Sequence, residues 1–145
     1  MVDDDTDTLA LTKAILSARG FEVLLADCAE QAYAQIDKRP DVVLLDVMMP
    51  GTSGLDVLAK IRGVPTTAGL PVILLTARQQ DRDLLEGYRE GADYYITKPC
   101  TAQQILFGIR LVLGDGGAAT PVRRERRRDR GRSVDTPTSP REIGR

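Results

Sequence analysis

The chain reads as an α/β protein, with helices packed on both faces of a parallel sheet. Three observations lead there. Residues 42–45 ("VVLL") and 72–76 ("VILLT") are continuous apolar runs, as in strands buried on both faces rather than alternating between core and solvent. Segments of helical period lie between the strand-like runs. Strands and helices then alternate along the chain, which favours parallel pairing with helical crossovers. The length of 145 residues is room for one domain, and 42% hydrophobic residues supply an ordinary core.

Taken in order, Met1 and Val2 stand where a first strand would be. Residues 6–19 carry Leu9, Ile15 and Leu16 at helical spacings, with Asp5 as N-cap, Asp7 in the first turn and Gly20 as the stop. Residues 21–26 ("FEVLLA") form a short strand-like run. "DCAE" then offers Asp27 as N-cap and Glu30 three residues on, opening a helix to about Lys38 with Ala29, Ala32, Tyr33 and Ile36 inward. "RPD" turns the chain into the strand over 42–45, which ends at Asp46. "MMPGTSG" is loop, and 55–62 is a helix. A turn-rich stretch from Pro65 to Pro71 leads to the strand over 72–76. Residues 81–90 form a helix stopped by Gly91. "YYIT" (94–97) is a short strand before Lys98 and Pro99. "TAQQ" caps a last helix over 102–113, with Ile105, Ile109 and Val112 toward the core and the Phe107–Leu111 pair on another face.

Composition removes several chemistries. The chain has no histidine, so a Ser-His or Cys-His dyad and an imidazole metal site are excluded. Any metal should be a hard ion on oxygen ligands. Cys28 and Cys100 fit no metal spacing and read as two thiols in a reducing, cytoplasmic setting. No apolar run is long enough for a membrane span, and no secretory signal is evident. The net charge of −1 is unevenly spread, with nine arginines against five acids from Gly114 onward. That part, residues 114–145, loses periodicity and reads as a disordered Arg-rich tail or linker. Its run "RRERRRDRGR" lacks aromatics and is diluted by Glu125 and Asp129, so nucleic-acid binding is not expected of it.

In an open parallel sheet, sites form beyond the carboxyl ends of the strands. Asp3 and Asp4 follow Val2, Asp46 follows "VVLL", Thr76 closes "VILLT" and Lys98 follows "YYIT". The fold would gather them at one edge. Three carboxylates packed together repel unless a cation sits among them, and Mg²⁺ suits such a set. Cation, ammonium and hydroxyl together can hold the oxygens of a phosphoryl group in transfer, with Asp46 placed as nucleophile.

"VDDD", "VVLLDVMMPGTSGLDVL", "VILLTA" and "GADYYITKP" resemble, in order and spacing, the receiver domains of two-component response regulators. The resemblance covers residues 1–113. It implies a flavodoxin-like doubly wound sheet of five parallel strands in order 2-1-3-4-5, with five helices and, here, a truncated first strand. It implies Asp46 as phosphoacceptor, Asp4 as a direct Mg²⁺ ligand, Asp3 acting largely through water, and Met48 lending its backbone carbonyl. Thr76 would be the switch hydroxyl, Lys98 the phosphate partner, Pro99 a cis proline, and Tyr95 the aromatic that turns inward as Thr76 moves. The expected partners are a sensor histidine kinase or phosphotransfer protein as donor and a downstream protein, with a homodimer through Phe107 and Leu111 as a further possibility. Cys100, where relatives commonly have Phe, implies looser packing there.

Two other readings use the same residues. A Mg²⁺-dependent phosphohydrolase of the haloacid dehalogenase type would also employ Asp, Thr and Lys, but its D-x-D-x-[TV] motif breaks at Asp7. A Ca²⁺ loop from Asp3, Asp5 and Asp7 would need Gly and Glu where Thr8 and Ala14 stand. Strands usually run ~5–6 residues. With only Met1 and Val2 ahead of Asp3, the expectation is a clipped start, or a marginal fold that positions Asp3 and Asp4 poorly.

Overall fold

The structure is a computed structural model describing residues 1–77 and 91–114. The described elements are α1 (Thr6–Ser17), α2 (Ala29–Ile36), β1 (Val43–Asp46), α3 (Gly54–Gly63), β2 (Val72–Ala77), β3 (Tyr94–Lys98) and α4 (Ala102–Leu113). The helix expected over 81–90 and the tail beyond Gly114 lie outside the described residues. The three strands pair in parallel in the order β1-β2-β3. Val2 extends the sheet on the other side of β1, bridged to both Leu45 and Ala26.

Alternation along the strands divides the core into two layers. Val43, Leu45, Val72 and Leu74 pack with Ala32 and Ile36 of α2 and with Val57, Leu58 and Ile61 of α3. Leu44, Ile73, Leu75 and Ile96 pack with Leu16 of α1 and with Ile105, Leu106, Ile109 and Val112 of α4. Helices thus cover both faces of a parallel sheet, as the unbroken apolar runs require. Asp5 caps α1, accepting from the Asp7 and Thr8 N–H groups at 3.0 and 3.3 Å. Thr101 caps α4 in a capping box with Gln104. Gly20 takes φ +86° just past α1, a conformation that glycine adopts without strain.

Two expected elements differ. Residues 21–26 are not a strand; Ala26 alone bridges, because the neighbour it would pair with offers only Val2. The start of α2 is also shifted. Its N-cap is Cys28 rather than Asp27, and the carbonyl of the Gln31 side chain, not Glu30, reaches back to the Asp27 N–H at 2.9 Å. β1 begins one residue later than expected. All three strands run one residue further, taking Asp46, Ala77 and Lys98 into the ladder.

α3 starts directly against the end of β1. The Gly54 N–H donates to Val47 O at 2.9 Å, and a Cβ on Gly54 would stand 2.0 Å from Asp46 O. At its other end Arg62 joins three segments. Its Nε donates to Gly91 O at 2.9 Å, its Nη1 to the carbonyls of Ala68 and Leu70, and its Nη2 to Asp93 Oδ2 at 3.0 Å. Asp93 Oδ2 also accepts from the Val72 N–H at 2.9 Å, so α3, β2 and the entry to β3 are tied at one point.

Gly54→Ala should therefore cost about 2–3 kcal/mol in urea denaturation, since overpacking against fixed backbone cannot relax as a side chain does. Gly63→Ala, where a Cβ meets nothing within 4 Å, should be close to neutral. Equal costs at both positions would contradict this reading of the contact between α3 and β1.

Candidate functional site: a buried aspartate–lysine cluster

Backbone pairing places each member of the site. Asp46 ends β1 opposite Leu75, Thr76 lies opposite Thr97, and Lys98 ends β3 opposite Ala77. The Asp3 N–H donates to Ala26 O at 3.1 Å, so pairing of Val2 with Ala26 on one side and Leu45 on the other is enough to align Asp3 with these strand ends. The four residues occupy the carboxyl edge of the sheet, as expected.

Asp3 and Asp46 are 1% and 4% exposed. Lys98 Nζ stands between them, 3.0 Å from Asp3 Oδ2 and 3.2 Å from Asp46 Oδ1. Asp3 Oδ1 accepts from the Asp5 N–H at 3.0 Å, and Asp46 Oδ1 from the Met48 N–H at 3.3 Å. Burial pushes the Asp46 carboxyl up to about 6; the Asp3 charge adds to the rise and Lys98 opposes it. Burial works to lower the Lys98 ammonium, but the Asp3 hydrogen bond and the charges of Asp46 and Asp3 outweigh it and hold its pKa above the ordinary value.

The remaining expected residues are near but differently engaged. Asp4 is exposed. The Met48 side chain points out, 56% exposed, as suits a residue expected to act through its backbone. Thr76 is buried and its hydroxyl donates to Ala77 O at 3.4 Å, within its own strand. Tyr95 is half-buried, its ring stacked on Tyr94 with centroids 6.3 Å apart. The Lys98–Pro99 peptide bond is cis, as expected.

Asp3, Asp4 and Asp46 each present an oxygen, all within 4.8 Å of one another. Oxygens across an octahedral Mg²⁺ lie ~4.2 Å apart, twice its ~2.1 Å bond, so a small closure would seat the ion. Three carboxylates and one ammonium leave two negative charges when all are ionised, which one divalent cation would neutralise. The donor set is all oxygen and suits a hard cation. These residues fit Mg²⁺.

The model of the response regulator receiver domain family matches residues 1–110. The chain belongs to that family. The receiver is 35% identical over 126 residues to the phosphate regulon transcriptional regulatory protein PhoB of Pseudomonas aeruginosa, covering 84% of this chain and 55% of that protein. It is 42% identical over 113 residues to the transcriptional regulatory protein CpxR of Klebsiella pneumoniae, covering 78% of this chain and 47% of that protein. The receiver thus spans about half the length of these curated relatives. Among solved structures, a response regulator from Chloroflexus aurantiacus superposes with a TM-score of 0.73 at 32% identity, covering 79% of this chain and 94% of that one. The Vibrio cholerae chemotaxis protein CheY4 does so with a TM-score of 0.73 at 28% identity, covering 77% and 94%. Nothing in these comparisons supports the dehalogenase-type alternative.

Gly54, against the Asp46 backbone, and the more distant Arg62–Asp93 tie both shape the receiver's site, and sequence reasoning missed both. Gly54 read as loop punctuation; only its approach to Asp46 O reveals its role. Arg62 and Asp93 are 31 residues apart and carry no local pattern.

A carboxyl whose pKa is raised on folding is destabilising when ionised. That cost is absent below the unfolded value near 4 and complete above about 6. Without divalent cations, Asp46→Asn should melt higher than the wild type at pH 7, by roughly 1–3 kcal/mol in stability. The advantage should shrink as the pH falls toward 4. A variant less stable than the wild type at pH 7 would show that Lys98 overcompensates.

Proposed function

We propose that this receiver accepts a phosphoryl group on Asp46 and changes its partner-binding face in response. The observation that carries the reading is the Lys98 ammonium bridging Asp3 and Asp46 at 3.0 and 3.2 Å. It fixes a nucleophilic carboxylate at the sheet edge beside a positive charge able to hold phosphoryl oxygens. With a pKa of about 6, Asp46 is mostly ionised near neutral pH and ready to attack.

The donor is a phosphohistidine on a sensor histidine kinase or phosphotransfer protein, in the cytoplasm. An Asp46 oxygen attacks phosphorus, the P–N bond breaks, and its electron pair leaves with the partner's imidazole, which takes up a proton. Mg²⁺, held by Asp3, Asp4, Asp46 and the Met48 carbonyl, supplies neutralisation of the phosphoryl charge when bound. Both Asp3 oxygens already have donors while Asp4 is exposed, which supports direct ligation by Asp4 and a water-mediated role for Asp3. The Met48 N–H remains as a donor beside the reacting oxygen.

The switch follows from hydrogen-bond strength. Among the described residues the Thr76 hydroxyl has only a long 3.4 Å bond to Ala77 O, and a charged phosphoryl oxygen is a better acceptor. Its turn toward Asp46 frees room for the half-buried Tyr95, and the two states differ at β3 and α4. Phe107 and Leu111, 59% and 47% exposed on α4, support a downstream protein or a second copy as the reader of that change. The relatives are named as transcriptional regulators; for this chain, nucleic acid would be reached through another domain or partner. The segment order Ala26, Val2, β1, β2, β3 supports the 2-1-3-4-5 arrangement of five strands, with residues 1–113 as receiver and 114–145 as tail or linker.

Incubation with acetyl phosphate and Mg²⁺ should add one phosphoryl group by intact mass. Asp46→Asn, folded and thermally stable, should add none. An unchanged wild-type mass would overturn the assignment, and catalytic turnover of free phosphate esters would restore the phosphohydrolase alternative.

A further inference from the structure

The two tyrosines that open β3 lie on opposite faces of the sheet. Tyr95 packs against the layer of α2 and α3, on the same face as Thr76, and Tyr94 against the layer of α1 and α4. Their rings nevertheless stack, with centroids 6.3 Å apart and planes inclined by 26°. Among the described strands β3 pairs with β2 alone, so its outer edge leaves room for the rings to meet around it. The stack is thus a contact between the two layers.

The Tyr94 ring also rests on α4, at Gly108. A Cβ there would stand 3.1 and 3.2 Å from the ring carbons Cδ1 and Cε1, and 3.2 Å from Ile96 Cδ1. The ring therefore takes the place of a side chain on the helix, and close packing passes any shift of the ring to the backbone it touches. The residue before Gly108 on α4 is Phe107, 59% exposed. Tyr94, Tyr95, Thr97, Gln104 and Phe107 border one groove along β3 and α4.

We propose that Tyr94 relays the Thr76–Tyr95 switch across the sheet to α4, through its stack on Tyr95 and its seat on Gly108. The relay rests on the reading of Asp46 as phosphoacceptor and of Thr76 and Tyr95 as the switch that answers it. Coupling between two sites needs an element whose position both of them bias. The paired strands are poor carriers, because their ladders hold them in register. Turning Tyr95 inward breaks the stack and removes one of the two supports of the Tyr94 ring. The ring then settles against the other, and the turn of α4 that carries Gly108 and Phe107 shifts with it. Tyr94 acts as a positioning residue and touches no reacting atom, so its replacement should leave phosphorylation of Asp46 intact.

The chain has two phenylalanines, Phe21 and Phe107, and only Phe107 borders the groove. Fluorine NMR of the full chain labelled with 4-fluorophenylalanine therefore reads α4 beside Gly108, with Phe21 as the reference signal. Excess acetyl phosphate with Mg²⁺ should shift the Phe107 signal, while intact mass records the added phosphoryl group. Tyr94→Leu should gain the same mass with the Phe107 shift cut at least about threefold. Tyr94→Phe, which keeps the ring and adds a third signal, should retain the shift. Gly108→Ala, whose methyl takes part of the ring's seat, should cut the shift at least about twofold. A phosphorylated wild type with an unmoved Phe107 signal, or a full shift in phosphorylated Tyr94→Leu, would overturn the relay. Absence of any mass gain in the wild type would instead overturn the phosphoacceptor reading on which the relay rests.

Discussion

A single ammonium stands between two buried carboxylates, and much of the molecule serves to keep it there. Lys98 lies within 3.2 Å of both Asp3 and Asp46, yet Asp3 stands 95 residues before it in the chain and Asp46 lies between them. Without the lysine, two ionised groups at 1% and 4% exposure would face one another with no counter-charge among the described residues. With it, burial still holds the Asp46 carboxyl up at about 6, with Lys98 opposing the rise and the Asp3 charge adding to it. The oxygens of Asp3, Asp4 and Asp46, all within 4.8 Å of one another, make a donor set that fits a hard divalent cation.

Holding these segments in register is the work of the sheet and its ties. Asp46, Thr76 and Lys98 all lie within ladder positions rather than in loops, so their backbones are fixed by parallel pairing. Gly54 lets α3 begin against the Asp46 carbonyl, closing the loop that carries Met48. Arg62, at the far end of the same helix, fixes the approach to β3 through Gly91 and Asp93.

Most of the fold was legible in the sequence because burial on both faces of a sheet leaves an unmistakable mark. "VVLL" and "VILLT" could be read as strands, and the polar residue closing each run as a site member. Capping at Asp5 and Thr101 was equally local and equally readable. Residues 21–26 misled because strand propensity counts for nothing without a partner to pair with. The Asp27–Glu30 pattern misled because Gln31 can reach the same N–H one residue later. The pairing of Lys98 with both Asp3 and Asp46 could be anticipated as proximity, but not as hydrogen bonds, and the present orientations of Thr76 and Tyr95 had no sequence signal at all.

The central claim is that the Lys98 ammonium holds the two carboxylates in place and that a divalent cation meets the same need. The most direct measurement is the melting temperature of Lys98→Met with EDTA and with Mg²⁺. The account predicts a Tm in EDTA about 5 °C below that of the wild type, with most of the loss recovered in saturating Mg²⁺. An unchanged Tm in EDTA, or a loss that Mg²⁺ leaves untouched, would contradict it.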